Sequence, residues 1–351
     1  MMPQTTAAAL PFPEPPPPGA AIEVAPGVLW MRFPLPFALD HVNIYAIDDG
    51  DGWAIVDAGF ADDTTRALWD HMLAGPLRGR PITRLIVTHH HPDHMGLAGW
   101  LCARFGLPLW MTEMEYLYGR YFLSGTEAVH GQFYERFYAR HGLPAEYADA
   151  VVERGHWYME QITPLPNDFH VLEAETPLSL GGRSFRVLKG AGHSPDQAML
   201  HCPAEGLLLA ADQVMERITP NISVHAMQPE ADPLGRYLDS LAMLKAVVPE
   251  GTLTLAGHHR PMRALHARID ELAAHHADRC AIIAAACADA PRSTAEMLPL
   301  LFHRKLDLHQ TSFAFAEALA HVNHMIRQGD LEWVSRGEHW RMRTLRGAGG
   351  R

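Results

Sequence analysis

The sequence predicts a mixed α/β fold followed by a small module of helices and a β-hairpin. Short runs rich in Val, Ile, Trp and Tyr predict strands, and they occur in two series separated by a helical stretch. With 351 residues, of which 48% are hydrophobic and 20% charged, the chain can bury a sizeable core and is not disordered as a whole. This length indicates one large domain and a smaller one.

The first strand series lies in the N-terminal third of the chain. The runs 27–31, 41–47 and 52–57 predict strands. The last two are joined by residues 48–51, an Asp-Asp-Gly-Asp sequence that is typical of a hairpin turn. A further apolar run at 84–87 predicts a buried strand.

Residues 113–160 predict an inserted helical segment between the two strand series. Eleven aromatic side chains fall between Tyr116 and Tyr158, with Arg and Glu interspersed. The second strand series runs from 169 to 211. After it, the pattern predicts a helix, a strand and a long helix, over 233–247, 252–255 and 262–287.

Both ends of the chain differ from this α/β region. Residues 1–20 predict a disordered tail, because the Pro-rich run 11–18 cannot form a helix or join a sheet interior.

Residues 291–351 predict a winged-helix-like domain and carry nine Lys or Arg against six Asp or Glu. The main domain is thus expected at 21–290. The small domain is predicted to contain helices at 293–302 and 312–328 and strands at 331–334 and 339–342.

Charge and cysteine content exclude several classes of protein. The formal net charge of −11 repels phosphates, so a nucleic-acid partner is not expected. The four cysteines lack the CxxC spacing of a zinc ribbon and predict reduced thiols, and hence a cytoplasmic protein. No stretch of ~18 apolar residues is present, so no membrane span is expected.

The chain has 23 histidines, and His is the commonest metal ligand of proteins.

Histidines cluster directly after the last strand of the first series. Residues 88–94 read Thr-His-His-His-Pro-Asp-His and contain the pattern H-x-H-x-D-H. Because alternate residues of an extended loop point the same way, His89 and His91 are placed to bind one metal ion. Asp93 and His94, beyond a proline bend, would reach a second ion. Nitrogen and carboxylate ligands suit Zn²⁺, Mn²⁺ or Fe²⁺.

Three further polar residues follow predicted strands later in the chain. His193, Asp212 and His258 each come shortly after such a strand. Any one of them alone would more often be a capping or packing residue. Together with the histidine run, they form a ligand set for two metals.

Five motifs of the sequence occur in the order typical of one family. They are Asp57 in a Val-Asp-Ala-Gly run, the H-x-H-x-D-H block at 89–94, His193, Asp212 and His258. On these motifs, the sequence resembles the metallo-β-lactamase superfamily over about residues 27–262. The resemblance implies an αββα sandwich in which loops of two sheets meet at a dinuclear metal site. Residues 21–290 would then be the catalytic domain, with 113–160 as its insert.

The resemblance also implies a ligand set for two divalent ions, Zn²⁺ in first place and Fe²⁺ or Mn²⁺ as alternatives. The first ion would be held by His89, His91 and His193, the second by Asp93, His94 and His258, and both by the bridging Asp212. Asp93, as a proton relay, and Asp212 are the candidate catalytic residues. The set is similar to that of glyoxalase II-type hydrolases. The zinc β-lactamases differ from it, because they offer Cys for the second metal where this sequence has the bridging Asp212. Antibiotic hydrolysis is therefore not expected.

Three neighbours of these residues have other expected roles. Asp57 is expected to support the ligands, and His90 is expected to turn away from the metal that its neighbours share. His259 stands where the family usually has a Gly after the last ligand. Either His258 or His259 could therefore face the site, and His258 is favoured.

The expected function is metal-dependent hydrolysis of a small acyl substrate by a metal-bridging hydroxide, which two cations make available at neutral pH. A thioester, ester or lactone is favoured if the aromatic residues of 113–160 form an apolar wall. The alternative is that these residues pack the insert onto the domain. The winged-helix-like domain is expected to cover the edge of the active site or to mediate formation of a homodimer.

Three other functions are weighed against this one. A phosphodiesterase or ribonuclease would use the same metal pair, but the acidic charge opposes it. The 46 positions from Asp212 to His258 are also too few for the extra domain of the nucleic-acid-processing branch. A mononuclear iron oxygenase conflicts with the complete second ligand set. A non-catalytic binding protein conflicts with the intact site.

Overall fold

The computed structural model describes residues 10–124, 131–149, 160–174, 176–337 and 339–345. The chain divides into two units, each built from three stretches of sequence. The first unit comprises Met1–Leu123, Tyr158–Pro220 and Ala242–Ile269, and the second Ser124–Trp157, Asn221–Leu241 and Asp270–Arg351.

The first unit contains a seven-stranded sheet whose strands follow one another in chain order. Its strands are β1 (Ala21–Ala25), β2 (Val28–Pro34), β3 (His41–Asp48), β4 (Trp53–Val56), β5 (Ile82–Ile86), β6 (Leu109–Met111) and β7 (His170–Val171). Neighbours from β1 to β4 pair antiparallel, and neighbours from β4 to β7 pair parallel. The turn predicted at 48–51 joins β3 to β4.

A second sheet of five strands has the order β12-β11-β10-β9-β8. Its strands are β8 (Pro177–Leu180), β9 (Arg183–Gly190), β10 (Gln197–Cys202), β11 (Leu207–Ala211) and β12 (Leu253–Ala256). β10 is antiparallel to β9 and to β11, whereas β12 is parallel to β11. Hence β9, β11 and β12 run in the same direction and end at the same edge of the sheet.

The central strands β3 and β4 of the first sheet are buried on both faces, which explains why they read as nearly continuous apolar runs. Along β3, Ile44 and Ala46 belong to one hydrophobic cluster, and Tyr45 and Ile47 belong to another. The second cluster also contains Phe185 of β9 and is the core between the two sheets. The two facing sheets confirm the sandwich that the sequence predicts.

Helices cover the outer face of the first sheet. They include α1 (Asp63–Ala74), α2 (Pro92–Met95), α3 (Ala98–Phe105) and α4 (Glu113–Leu123). Trp69 of α1 and Leu101 of α3 pack in the first hydrophobic cluster, against the strands. α1 begins after Asp62, whose carboxylate accepts a hydrogen bond from the Thr65 amide at 2.7 Å.

The second unit is helical and carries a β-hairpin. Its elements include α5 (Gly131–Arg140), α8 (Leu298–Leu301), α9 (Leu308–Gln328), β13 (Leu331–Arg336) and β14 (Trp340–Thr344); α6 (Pro233–Val247) and α7 (Leu265–Ala286) begin or end in it. Phe315 of α9 is fully buried, and its ring lies 6.0 Å from Phe137 and 5.1 Å from Tyr138, between centroids. These two aromatic residues of the predicted insert therefore pack the second unit and do not form an open wall.

Two helices of the second unit differ from their predicted bounds. The helix expected at 293–302 is a single 3-10 turn at Ala295–Met297 that runs into α8. The helix expected at 312–328 begins at Leu308, because the Asp307 carboxylate accepts a hydrogen bond from the Gln310 amide at 2.7 Å and so forms an earlier N-cap. The predicted hairpin is confirmed.

The segments predicted as a tail and as an insert are described in part. Phe12 is partly buried against the core between the sheets, and Arg260 donates a hydrogen bond to the Pro13 carbonyl at 3.3 Å. The disordered tail expected at 1–20 is thus corrected for its described part, because Phe12 anchors it. Residues 1–9, 125–130 and 150–159 lie outside the described residues. Among the described helices, none combines the length and the apolar character that a membrane span requires.

Candidate metal centre

The ends of several parallel strands place the predicted site residues together in the first unit. Asp57 follows β4, and the histidine run follows β5 in the first sheet. His193, Asp212 and His258 follow β9, β11 and β12, which end at one edge of the second sheet. The two sheets meet there, since the amide of Ala198 in β10 donates to the Thr88 carbonyl at 2.8 Å.

His89, His91 and His193 form a first triad. Their nearest donor atoms all lie within 4.8 Å of one another. His89 Nε2 is 3.0 Å from His91 Nδ1. The rings of His91 and His193 are 4.6 Å apart between centroids.

Asp93, His94 and His258 form a second triad, again with donor atoms within 4.8 Å of one another. Asp93 Oδ2 lies 3.6 Å from His94 Nε2 and 3.3 Å from His258 Nε2. The structure brings His258 into this group, whereas His259 is not part of it.

Asp212 lies between the two triads. Its Oδ2 is 3.4 Å from His193 Nε2 of the first triad and 3.3 Å from His258 Nε2 of the second. Its Oδ1 is 3.5 Å from His94 Nε2. One carboxylate therefore faces donors of both triads.

Hydrogen bonds from outside the triads fix their imidazoles. His94 Nδ1 donates to Asp57 Oδ2 at 2.8 Å, and His258 Nδ1 donates to the His41 carbonyl at 2.7 Å. The Thr88 hydroxyl donates to Asp57 and lies 3.0 Å from His89 Nδ1, so it can accept from that nitrogen. In each case, the Nε2 lone pair is left for the cluster, as metal binding requires.

Polar side chains of β3 hold the loop that carries His258. Asn43 Nδ2 donates to the carbonyls of Ala256 and His259, each at 2.9 Å, and the Tyr45 hydroxyl donates to Ala256 at 2.8 Å. Asn43 accepts in turn from Trp30 Nε1 at 2.8 Å. The sequence analysis missed these residues; a buried Asn inside an apolar strand is the signal that points to them.

Glu115 of α4 is another residue that the sequence analysis missed. Its side chain is wholly buried and accepts a hydrogen bond from His90 Nδ1 at 2.6 Å. His90 therefore turns away from the triads, as predicted, and its ring stacks on Phe122. Burial alone would raise the pKa of Glu115, but His90, the Asp196 amide and the Ser194 hydroxyl hold it below its ordinary value.

Electrostatics separate the imidazoles of the cluster into two groups. Burial and neighbouring imidazoles hold the pKa of His89 and of His91 well below its ordinary value. Burial would also lower the pKa of His258, but Asp212 and Asp93 raise it to about 10. The same two carboxylates, with Asp57, raise the pKa of His94 well above its ordinary value. Positive charge is therefore strongly stabilised beside Asp93 and Asp212.

Backbone strain is concentrated around the cluster. Among the described residues, the non-glycine positions with positive φ are Asp57 (69°), Ala211 (47°) and His259 (63°). Ala211 and His259 each stand next to a residue of the cluster in sequence, and Asp57 is one of the residues that support the cluster. A Cβ on Gly257 would lie 2.2 Å from Asp212 Oδ1 and 2.7 Å from His94 Cε1. Only glycine lets the backbone pass this close to the cluster.

The donors present fit divalent metal ions. Imidazole nitrogens and carboxylate oxygens are the ligands that Zn²⁺, Fe²⁺ and Mn²⁺ accept in proteins. His94 Nε2 and Asp212 Oδ1 are buried and face each other at 3.5 Å without a well-formed hydrogen bond, although buried polar atoms usually have one. A bound cation would satisfy both atoms.

Known proteins resemble this chain over most of its length. A beta-lactamase domain protein from Burkholderia ambifaria, known as a crystal structure, is 38% identical, with a TM-score of 0.88 over 96% of this chain and 98% of that one. A metallo-beta-lactamase family protein from Thermus thermophilus is 29% identical, with a TM-score of 0.77 over 92% of this chain and 100% of that one. A Bacillus subtilis (strain 168) protein described as "Probable metallo-hydrolase YqjP" is 24% identical over 260 residues and covers 70% of this chain and 75% of that one.

Family models agree with these relatives and with the cluster. The model of the metallo-beta-lactamase superfamily matches residues 38–281, and the model of the metallo-beta-lactamase-like C-terminal domain matches residues 280–343. The first match includes all members of both triads and Asp212. The chain therefore belongs to the metallo-beta-lactamase superfamily, as a metallo-hydrolase with a candidate metal-binding cluster of His and Asp side chains.

Proposed function

We propose that the protein is a dinuclear metal-dependent hydrolase that acts on a small acyl substrate, namely a thioester, an ester or a lactone. The observation that carries this proposal is the position of Asp212 between two triads, with contacts of 3.4 Å to one and 3.3 Å to the other. A mononuclear site would need only one triad. The second triad, in which His94 and His258 are buried, supports a second ion.

In this proposal, each triad would hold one ion, and Asp212 would contact both. His89, His91 and His193 would hold the first ion, and Asp93, His94 and His258 the second. When bound, two such cations supply a hydroxide nucleophile near neutral pH and polarise the acyl oxygen of the substrate.

The chain's own groups orient the site and handle protons. Asp57 and the His41 carbonyl hold His94 and His258 in the tautomer whose Nε2 faces the cluster. The side chain of Asp93, a member of the second triad, is 14% exposed, whereas that of Asp212 is 7% exposed. Asp93 is therefore the carboxylate better placed to take a proton from the attacking water and to return it to the leaving group.

Apolar side chains beside the metal loops support an acyl substrate. Phe60 follows Asp57 by three residues, and the exposed ring of Phe37 meets it edge-on at 5.6 Å between centroids. The net charge of −11 opposes a polyanionic substrate such as RNA.

A hydrolysis panel on the zinc-loaded protein tests the proposal. The panel contains acyl-glutathione, acyl-CoA, a lactone, an aryl ester, a phosphodiester and a short RNA, each measured before and after chelation. We expect turnover of a thioester, ester or lactone that is lost on chelation and restored by metal. Cleavage of only the phosphodiester or the RNA would support a nuclease instead. Absence of hydrolysis here, together with a single iron per chain in the protein as purified, would support an oxygenase.

Finer assignments follow from the same features and are part of the proposal. Asp212 in the bridging position, where no Cys is offered, supports the glyoxalase II-like branch. The α9 helix followed by the β13–β14 hairpin supports a winged-helix-like domain at 291–351, which follows a catalytic domain at 21–290 in the sequence. The four cysteines are free thiols, which supports a cytoplasmic protein.

A further inference from the structure

Glu115 connects the two loops that carry the first triad. Its Oε2 accepts from His90 Nδ1 at 2.6 Å and from the His90 amide at 3.1 Å. Its Oε1 accepts from the Ser194 hydroxyl and from the Asp196 amide, both at 2.7 Å. One oxygen thus serves the loop after β5, and the other serves the loop after β9.

The donors to Glu115 are adjacent in sequence to the triad itself. His90 lies between His89 and His91, and Ser194 follows His193. Holding His90 and Ser194 therefore holds the backbone from which all three imidazoles of the triad project. The strands β5 and β9 do not do this themselves, since both loops leave their strands before these residues.

The second triad depends on different supports. His94 is held by Asp57, and His258 is held by the His41 carbonyl. Neither support contacts Glu115 in these hydrogen bonds, so Glu115 serves the first triad, whereas Asp57 holds His94 directly and reaches His89 through the Thr88 hydroxyl. A change at Glu115 should therefore affect the two triads unequally.

We propose that Glu115 is a positioning residue that sets the metal affinity of the first triad by joining its two loops. This inference rests on the proposed function, because it assumes that each triad binds an ion. A buried carboxylate is costly unless it is fully hydrogen-bonded, and the four donors offset that cost. Its replacement by Gln preserves the shape but puts a donor amide against N–H groups of one loop, which releases that loop.

Cobalt titration of single-triad proteins tests the proposal. The variant His258→Ala disrupts the second triad and keeps the first intact, whereas His193→Ala disrupts the first and keeps the second intact. Binding of Co²⁺ to each full-length protein is followed by the visible absorption of the bound ion. We expect Glu115→Gln to raise the Co²⁺ Kd of the His258→Ala protein ~10–100-fold, the usual effect of losing a group that orients a metal ligand. In the His193→Ala protein, the same change should leave the Kd within about twofold.

Two further variants complete the design. Ser194→Ala removes one of the four hydrogen bonds, so we expect a smaller rise of a few fold, again only at the first triad; it serves if Glu115→Gln does not fold. Asp57→Asn should weaken binding at both triads, because Asp57 holds His94 directly and His89 through the Thr88 hydroxyl. Equal effects of Glu115→Gln on both triads, or none, would overturn the positioning role. If wild-type protein or either parent variant binds no Co²⁺ at its triad, the dinuclear proposal fails first and the positioning role fails with it.

Discussion

Each of the two units buries histidines, but in opposite electrostatic settings. In the first unit, His94 and His258 face Asp93 and Asp212, and these carboxylates raise the pKa of His258 to about 10. In the second unit, His141, His276 and His321 are equally buried, but burial dominates and lowers the pKa of His141 to about 3, that of His276 to about 2 and that of His321 to about 3.

The neighbours of these second-unit histidines explain the difference. His141 lies among aromatic rings, 5.6 Å from Trp333 and 5.4 Å from Trp340 between centroids. His276 Nδ1 faces His321 Nε2 at 3.1 Å. Among the described residues, the groups of three donors within 4.8 Å all belong to the first unit. A buried histidine thus indicates a metal site only when carboxylates and further imidazoles converge on it.

The largest expected effect is at Asp212, which both triads share. Asp212→Ala should reduce hydrolysis on the order of 10³-fold or more, because it removes the carboxylate proposed to contact both ions. His91→Ala should have a comparable effect. Turnover and metal content of the purified variants measure this. Asp51→Ala, at an exposed turn, is the matched control and should leave both unchanged; unchanged turnover in Asp212→Ala would contradict the site.

Crowding of the metal cluster can be tested at Gly257. Gly257→Ala places a methyl group 2.2 Å from Asp212 Oδ1 and should weaken metal binding ~10-fold or more while costing about 1–3 kcal/mol of stability. Gly251→Ala is the control, because a Cβ there meets nothing within 4 Å. Competition with a chromophoric chelator measures the affinity. Equal affinities of the two variants would show that the close approach has no role.

The uncharged setting of the second unit can be tested at His141, whose two ring nitrogens are buried without a hydrogen bond. Its pKa is about 3 in the folded protein, against ~6.5 in the unfolded chain. The unfolded state therefore takes up the proton first. The free energy of unfolding should fall by up to ~1.4 kcal/mol per pH unit as the pH drops from ~6.5 towards 3.

His141→Phe should remove this contribution to the acid slope and add about 1–2 kcal/mol of stability at pH 7, since an unpaired polar group is lost. His141→Asn is its control, because it removes the titration but keeps a polar group among the rings. Urea unfolding at several pH values distinguishes the two variants. If both variants kept the wild-type dependence of the free energy of unfolding on pH, that result would contradict the claim that His141 is buried and neutral.

The smallest expected effect is at His259, which differs from its neighbour His258 in having no place in either triad. Burial lowers the pKa of His259 to about 4, and its φ is 63°, a value that suits glycine. His259→Gly should keep the full metal content and change stability by less than ~1 kcal/mol. Elemental analysis and thermal melting check this. Loss of one metal equivalent would show that His259, and not His258, is the ligand.

Much of this site could be predicted from the sequence, because its ligands follow apolar strands that parallel pairing brings to one edge. The H-x-H-x-D-H block, His193, Asp212 and His258 all came from that pattern. Glu115 and Asn43 did not, since a single polar residue in a helix or strand shows its partners only after folding. The roles of Phe137 and Tyr138 were left open, because helical aromatic spacing looks the same for a core and for a substrate wall.

The count of bound metal ions tests the central claim most directly. Elemental analysis of the full-length protein, reconstituted with Zn²⁺ and freed of excess metal, should give two equivalents per chain. It should give one equivalent in His193→Ala and one in His258→Ala, because each retains a complete triad. A single equivalent in the wild-type protein, retained by one variant and absent from the other, would contradict the dinuclear site.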